Sequence, residues 1–188
     1  MADLNCLGTH DKRYALPALL ARAATLRAGG GRLVLTNGCF DLLHVGHVRY
    51  LQAARRLGDF LVVGVNSDAS VRRLKGSGRP LVPADERAEV VAALGCVDAV
   101  VVFDSPTAAP LVAALRPEIY VKGADYTEAT LPEARVVRAY GGTVTLLPTV
   151  PGASTTALLE RAVSRDGQAG RGSVASHSGG DDGRPERG

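Results

Sequence analysis

The segment TNGCFDLLHVGHVRYL (36–51) holds the densest set of groups able to do chemistry in this chain. His44 and His47 stand three apart with Gly46 between them, and Cys39 and Asp41 lie just upstream. A helix entrance leaves backbone N–H groups without intrahelical partners, and such groups favour phosphate. Two imidazoles beside those donors would stabilise the extra negative charge of a pentacovalent phosphorus. Gly46 lets a ligand approach the backbone closely. The segment is neither of the common phosphate fingerprints, GxxxxGK[ST] or GxGxxG. Other readings of the same residues stay open at this point. A metal site would need a third ligand, for which Asp41 is nearest, and the two histidines could instead be structural. Asp41 could orient an imidazole, bind substrate or close an Asx turn. Phe40 is expected to pack beneath the loop. Cys39 has no readable histidine pairing and reads as a small buried side chain rather than a nucleophile.

The elements around this segment set where it must sit. Apolar spacing from Leu16 to Arg27 suits a helix, with Pro17 in its first turn and Gly29-Gly30-Gly31 ending it. RLVLT (32–36) is a strand, and the loop NGCFDLLH leads into a helix over 46–57. FLVVGV (60–65) is a nearly continuous apolar run, as a parallel strand covered on both faces requires. A basic loop follows, SVRRLKGSGR (70–79), suited to a small anionic ligand rather than to a polynucleotide. PADERAEVVAAL (83–94) is helical with acids in its first turn. DAVVVF (98–103), EIYVKG (118–123) and TVTLLP (143–148) are further strands, with TAAPLVAAL (107–115) a short helix between the first two. A last helix spans 154–163, capped by Ser154. Strands alternating with helices at this spacing predict a three-layer α/β sandwich around a five-stranded parallel sheet.

Composition narrows the function classes. The 188 residues are 46% hydrophobic and 22% charged, ordinary for one globular domain. The net charge of +3 and an aromatic content of 4% without Trp argue against a nucleic-acid partner. Apolar runs are broken before membrane-spanning length, and the N-terminus lacks the order of a signal peptide, so no membrane partner and a cytoplasmic location are expected. Cys6, Cys39 and Cys96 have no CxxC spacing and indicate neither a disulfide framework nor a zinc knuckle. Residues 1–30 are expected to form an N-terminal extension with a helix, its first fourteen residues ragged, and 31–164 the main domain. The stretch 165–188, rich in glycine and balanced charge, reads as a disordered tail.

GCFDLLHVGH matches the GxFDxxHxGH pattern and so resembles the cytidylyltransferase-like nucleotidyltransferases. NSDASVRRLKGSGRPLVPADERAEVVAAL, LRPEIYVKGADY, LPEARVVRAYGGTVTLLP and GASTTALLERA follow in the order and spacing of one branch, the ADP-heptose synthase domain. The resemblance covers residues 30–163 and implies a Rossmann-like nucleotidyltransferase fold. It implies His44 and His47 at the nucleotide phosphates and Lys75 as a phosphate-binding lysine. Thr36, Asn37, Gly38 and Phe40, with Gly46, would line the nucleotide pocket. Asp41 and Tyr126 would face the acceptor, while Lys122, Gly123 and Asp125 stand at a strand's carboxyl end. Ser154, Thr155 and Thr156 resemble the segment that closes over the triphosphate.

What the resemblance implies chemically is adenylyl transfer from ATP to D-glycero-β-D-manno-heptose 1-phosphate, giving ADP-heptose and pyrophosphate. Mg²⁺ would travel with the triphosphate, with no protein metal site. A glycerol-3-phosphate cytidylyltransferase, or another small-phosphate nucleotidyltransferase, is the alternative. Against it, LPTVPGASTT lacks the arginine of the RTEGISTT run in the glycerol enzymes. The 30 residues before the first strand are too few for the sugar kinase often fused to this domain, so a separate heptose kinase is expected upstream. A homodimer is expected by resemblance.

Overall fold

The computed structural model describes residues 10–124, 126–148, 152, 155–156 and 158–161. Its centre is a sheet of β1 (Leu33–Gly38), β2 (Phe60–Asn66), β3 (Ala99–Phe103), β4 (Ile119–Gly123) and β5 (Thr143–Leu147). All neighbours pair in parallel, in the order β3-β2-β1-β4-β5. The five-stranded parallel sheet of the expectation is therefore present, as a Rossmann-like α/β fold.

Burial on both faces explains why β2 carries an apolar side chain at nearly every position. Helices α1 (Leu16–Ala28), α5 (Ala109–Leu115) and α6 (Pro132–Ala139) bury Leu19, Leu111, Leu115 and Val137 against one face. On the other face α2 (Val45–Arg55) and α4 (Ala84–Ala92) bury Leu51, Ala54, Ala88 and Val91 against Val34, Leu61 and Val63. The chain runs outward from β1 through β2 to β3, then returns to lay β4 on the other side of β1. That reversal opens a crevice at the carboxyl ends of β1 and β4, where open parallel sheets bind ligands.

Three local expectations are corrected. The basic segment is not a loop throughout: Asp68–Lys75 form helix α3, and the chain turns only from Gly76. Its sequence is strongly polar; a local cap at Ser67 starts it, and tertiary contacts hold it. Ser67 Oγ accepts from the Ser70 N–H at 3.0 Å, Ser70 Oγ donates to the Ser105 carbonyl at 3.0 Å, and Val71 is fully buried. Helix α6 also goes beyond the elements expected. Pro132 lies in its first turn, where the missing N–H costs nothing. Its neighbour Glu133, buried, accepts from the Ala108 N–H at 2.8 Å and so caps α5. Residues 10–14 are ordered rather than ragged. His10–Lys12 make a 3-10 turn, the Tyr14 N–H donates to the Val100 carbonyl at 2.9 Å, and Arg13 pairs with Asp85.

Contacts divide the chain into Met1–Thr155 and Thr156–Gly188. Of the second unit, 156 and 158–161 are described, and they are helical. Asp125, Ser154 and the segment 165–188 lie outside the described residues.

Candidate functional site

Strand β1 ends at Gly38, and the next residues turn sharply into α2. Phe40 takes φ 49°, a left-handed conformation costing a non-glycine residue about 1–2 kcal/mol. This turn lays the Phe40 ring under Gly38, where an added Cβ would come within 3.1 Å of it. The same ring meets His47, with centroids 5.3 Å apart and planes at 57°. Phe40 is buried beneath the loop, as its apolar type suggested.

His44 is the N-cap of α2, in extended conformation, and its carbonyl accepts from the His47 N–H at 2.9 Å. Three residues on, the His47 ring comes back over it. The two imidazoles stack at 3.9 Å with planes 27° apart. His47 Nδ1 accepts from the His44 N–H in a long contact of 3.4 Å, which leaves Nε2 as that ring's donor. His44 Nδ1 is buried with no hydrogen-bond partner. Burial, then the neighbouring His44 and Lys75, push His47 down to about 4, and burial lowers His44 as well. The His47 ring is therefore neutral at pH 7. The first turn of α2 carries no acidic side chain, so the helix's positive end stays available to an external anion. Gly46 is buried inside that turn.

Lys75 is the last residue of α3, exposed, and close enough for its charge to bear on His47. The structure thus stacks His44 on His47 and puts the Lys75 charge, about thirty residues away in sequence, within electrostatic reach of His47. Buried Thr36 shares a 2.7 Å hydrogen bond with the Tyr50 hydroxyl on α2. From β4, the Tyr120 hydroxyl donates to Asn37 Oδ1 at 2.6 Å, and burial pushes its pKa up, so it remains a donor. That bond turns the Asn37 amide nitrogen away from Tyr120. Lys122 Nζ lies 3.4 Å from the Asn37 carbonyl and 5.0 Å from the Tyr126 ring centroid. Gly123 closes β4 beside them. Thr155 Oγ1 approaches the Leu42 carbonyl at 3.5 Å, so this threonine reaches the loop between β1 and α2. Thr156 belongs to the second unit.

Asp41 is almost fully buried, and its carboxylate is committed to protein donors. Oδ2 accepts from Arg79 at 2.5 Å, and Oδ1 accepts from the Leu81 and Val82 N–H groups at 2.7 and 3.1 Å. These donors outweigh the cost of burial and hold its pKa below the usual carboxylate value. Cys39 is a half-buried free thiol. No group of three His, Cys, Asp or Glu side chains able to hold a metal ion occurs among the described residues. Among the same residues no helix is long and apolar enough to cross a membrane.

Sequence reasoning missed Arg87. Its guanidinium is 1% exposed and reaches the Cys39 carbonyl, directly under the histidine loop. The signal was present: Arg87 precedes Val91 by four residues, on the face of α4 that also buries Ala88. An arginine on a buried helix face needs a structural or functional reason.

Comparison with known proteins agrees with this geometry. The cytidylyltransferase-like family matches residues 35–159, from β1 through the last described helix. This chain belongs to the cytidylyltransferase-like family. It therefore stands among the nucleotidyltransferases. The bifunctional protein HldE of Streptomyces coelicolor is 59% identical over 142 residues, which are 76% of this chain and 31% of that protein. That of Syntrophotalea carbinolica is 58% identical over 139 residues, 74% of this chain and 28% of its own length. The chain thus spans about a third or less of these relatives. The crystal structure of the lipopolysaccharide core biosynthesis protein from Thermoplasma volcanium is 30% identical, with a TM-score of 0.54. That alignment covers 64% of this chain and 98% of the other.

Proposed function

We propose that this cytidylyltransferase-like protein is an adenylyltransferase that joins ATP to D-glycero-β-D-manno-heptose 1-phosphate, yielding ADP-heptose and pyrophosphate. The observation that carries the chemistry is the stacked His44–His47 pair at the mouth of α2, with Lys75 within electrostatic reach. The choice of branch is supported by the 58–59% identity to two bifunctional HldE proteins.

The nucleophile is a phosphate oxygen of the sugar 1-phosphate, already anionic near pH 7, so no strong general base is needed. It attacks the α-phosphorus in line. A new P–O bond forms there while the bond to the bridging oxygen of the β-phosphate breaks, and pyrophosphate leaves with that electron pair. His44 and His47 act as donors to the α-phosphate and the bridging oxygen. The His47 ring donates from Nε2, and because it enters neutral, its hydrogen bond gains strength as charge builds on the oxygen. Lys75 meets the β/γ end. Thr36, Asn37, Gly38, Phe40 and Gly46 shape the floor beneath the nucleotide. Lys122, Gly123 and Tyr126 border the crevice from β4, and Thr155, near the loop between β1 and α2, meets the triphosphate. Mg²⁺ enters as part of the substrate, bound to the triphosphate. A heptose kinase activity must supply the sugar 1-phosphate.

Pyrophosphate release with ATP and CTP, each offered heptose 1-phosphate and glycerol 3-phosphate, tests this reading. ATP with heptose 1-phosphate should give the highest kcat/KM. Faster turnover of CTP with glycerol 3-phosphate would replace it with the cytidylyltransferase reading.

A further inference from the structure

Arg87 is the most deeply buried charge in the vicinity of the site, and its four contacts come from four different segments. Nε donates to the Val82 carbonyl at 2.8 Å, and Nη1 donates to the Cys39 carbonyl. Nη2 donates to the Asn66 carbonyl at 2.8 Å and to the Asp68 carboxylate at 2.7 Å. One guanidinium therefore joins the loop that precedes the histidines, the end of β2, the start of α3 and the strap 76–82 that follows Lys75. Three of its acceptors are backbone carbonyls, which a planar fork can hold in fixed directions and a lysine cannot. A second tie joins two of the same segments, because Asp41 in the histidine loop holds Arg79 and the Leu81 and Val82 N–H groups in the strap.

We infer that Arg87 is a positioning residue for phosphoryl transfer, clamping the histidine loop to α3 and its strap so that Lys75 and the His44–His47 pair keep one fixed geometry. The inference rests on the proposed nucleotidyl transfer for its kinetic consequence, though not for the clamp itself. Arg87 touches no reacting atom. Its partners come from the segments that carry the three proposed catalytic side chains. Positioning, together with electrostatic stabilisation, carries phosphoryl transfer, and a misplacement of about 1 Å costs about 10²-fold.

The test compares the full wild-type chain with Arg87→Lys, which keeps the charge and loses the fork. Backbone amide exchange, measured without any ligand, should rise at least about tenfold over residues 40–48 and 79–83 while β2 amides at 61–65 change less than about twofold. In steady-state assays kcat should fall by about 10²-fold, with KM for ATP changed less than about threefold. Unchanged exchange in the two segments, or an equal rise throughout the sheet, overturns the inference. Wild-type kcat in a folded Arg87→Lys protein overturns it as well. Should Arg87→Lys fail to fold, Arg79→Met opens the same clamp from its more exposed side. Exchange at Leu81 and Val82 should then rise at least about fivefold, and no rise there overturns the inference. A wild-type chain inert toward every nucleotide and acceptor would sink the proposed function instead, leaving the exchange pattern to decide the clamp.

Discussion

Lowering the pH should weaken this fold in a window set by His47. In the unfolded chain its imidazole titrates near the ordinary 6.5, and in the folded protein at about 4. The folded ring binds fewer protons, so stability rises with pH across that interval. The contribution is fully present above 6.5 and is lost as the pH falls toward 4. Between about pH 7.5 and pH 4.5 the two titration curves differ by at most about 2.5 kcal/mol. The ring is partly exposed, and solvent screening reduces that to about 1–2 kcal/mol. Asp41 and Glu118 are lowered carboxylates whose contributions are lost below the ordinary carboxylate values, outside most of this window. His44 is lowered in the same direction as His47, so a control must remove one ring only. Urea unfolding of the wild type and of His47→Gln at the two pH values gives that difference, provided the m-values agree. The wild type should lose about 1–2 kcal/mol more than the variant on acidification. Equal losses would mean that the folded ring titrates normally, and the account of a desolvated, neutral His47 would fail.

Other consequences follow from the same geometry. His47→Ala should lower kcat by about 10²–10³-fold with ATP affinity changed much less, and His44→Ala should behave alike; a folded His47→Ala protein with wild-type kcat removes His47 from the mechanism. Lys75→Ala should raise KM for ATP and lower kcat together, because a point charge on phosphate acts in the ground state too. Gly58→Ala should cost about 1–3 kcal/mol in urea unfolding and leave kcat per folded molecule unchanged. There a Cβ would come 2.8 Å from the Arg32 carbonyl and 2.7 Å from Val34, at the opposite ends of β1 and α2 from the histidines. Sedimentation should give twice the chain mass of 19.5 kDa, and a species at 19.5 kDa at working concentration would refute the homodimer.

Sequence alone determined the sheet, because strands buried on both faces must be apolar along their length, and FLVVGV and VLT admit little else. It also determined that the two histidines meet, since His44, Gly46 and His47 lie within one turn of a single helix, and local spacing suffices to put them together. The tertiary structure decided what holds that turn in place. Helix α3 has too little apolar surface to announce itself, and beyond its local Ser67 cap it is held by Ser67, Asp68 and Ser70 bonding to Asp104, Arg87 and the Ser105 carbonyl, all remote in sequence. Asp41 illustrates the same limit. From the sequence it could turn a loop, orient a ring or meet a substrate, and only the fold delivers Arg79, Leu81 and Val82 to its carboxylate from 38 to 41 residues away. Arg87 is one charge among several in PADERAEVVAAL, yet the packing of α4 against β2 carries it inward to carbonyls that no local pattern encodes. Periodicity and spacing record which residues share a face or a turn. Which buried donor meets which distant acceptor depends on how those faces pack, and that is settled only when the layers close.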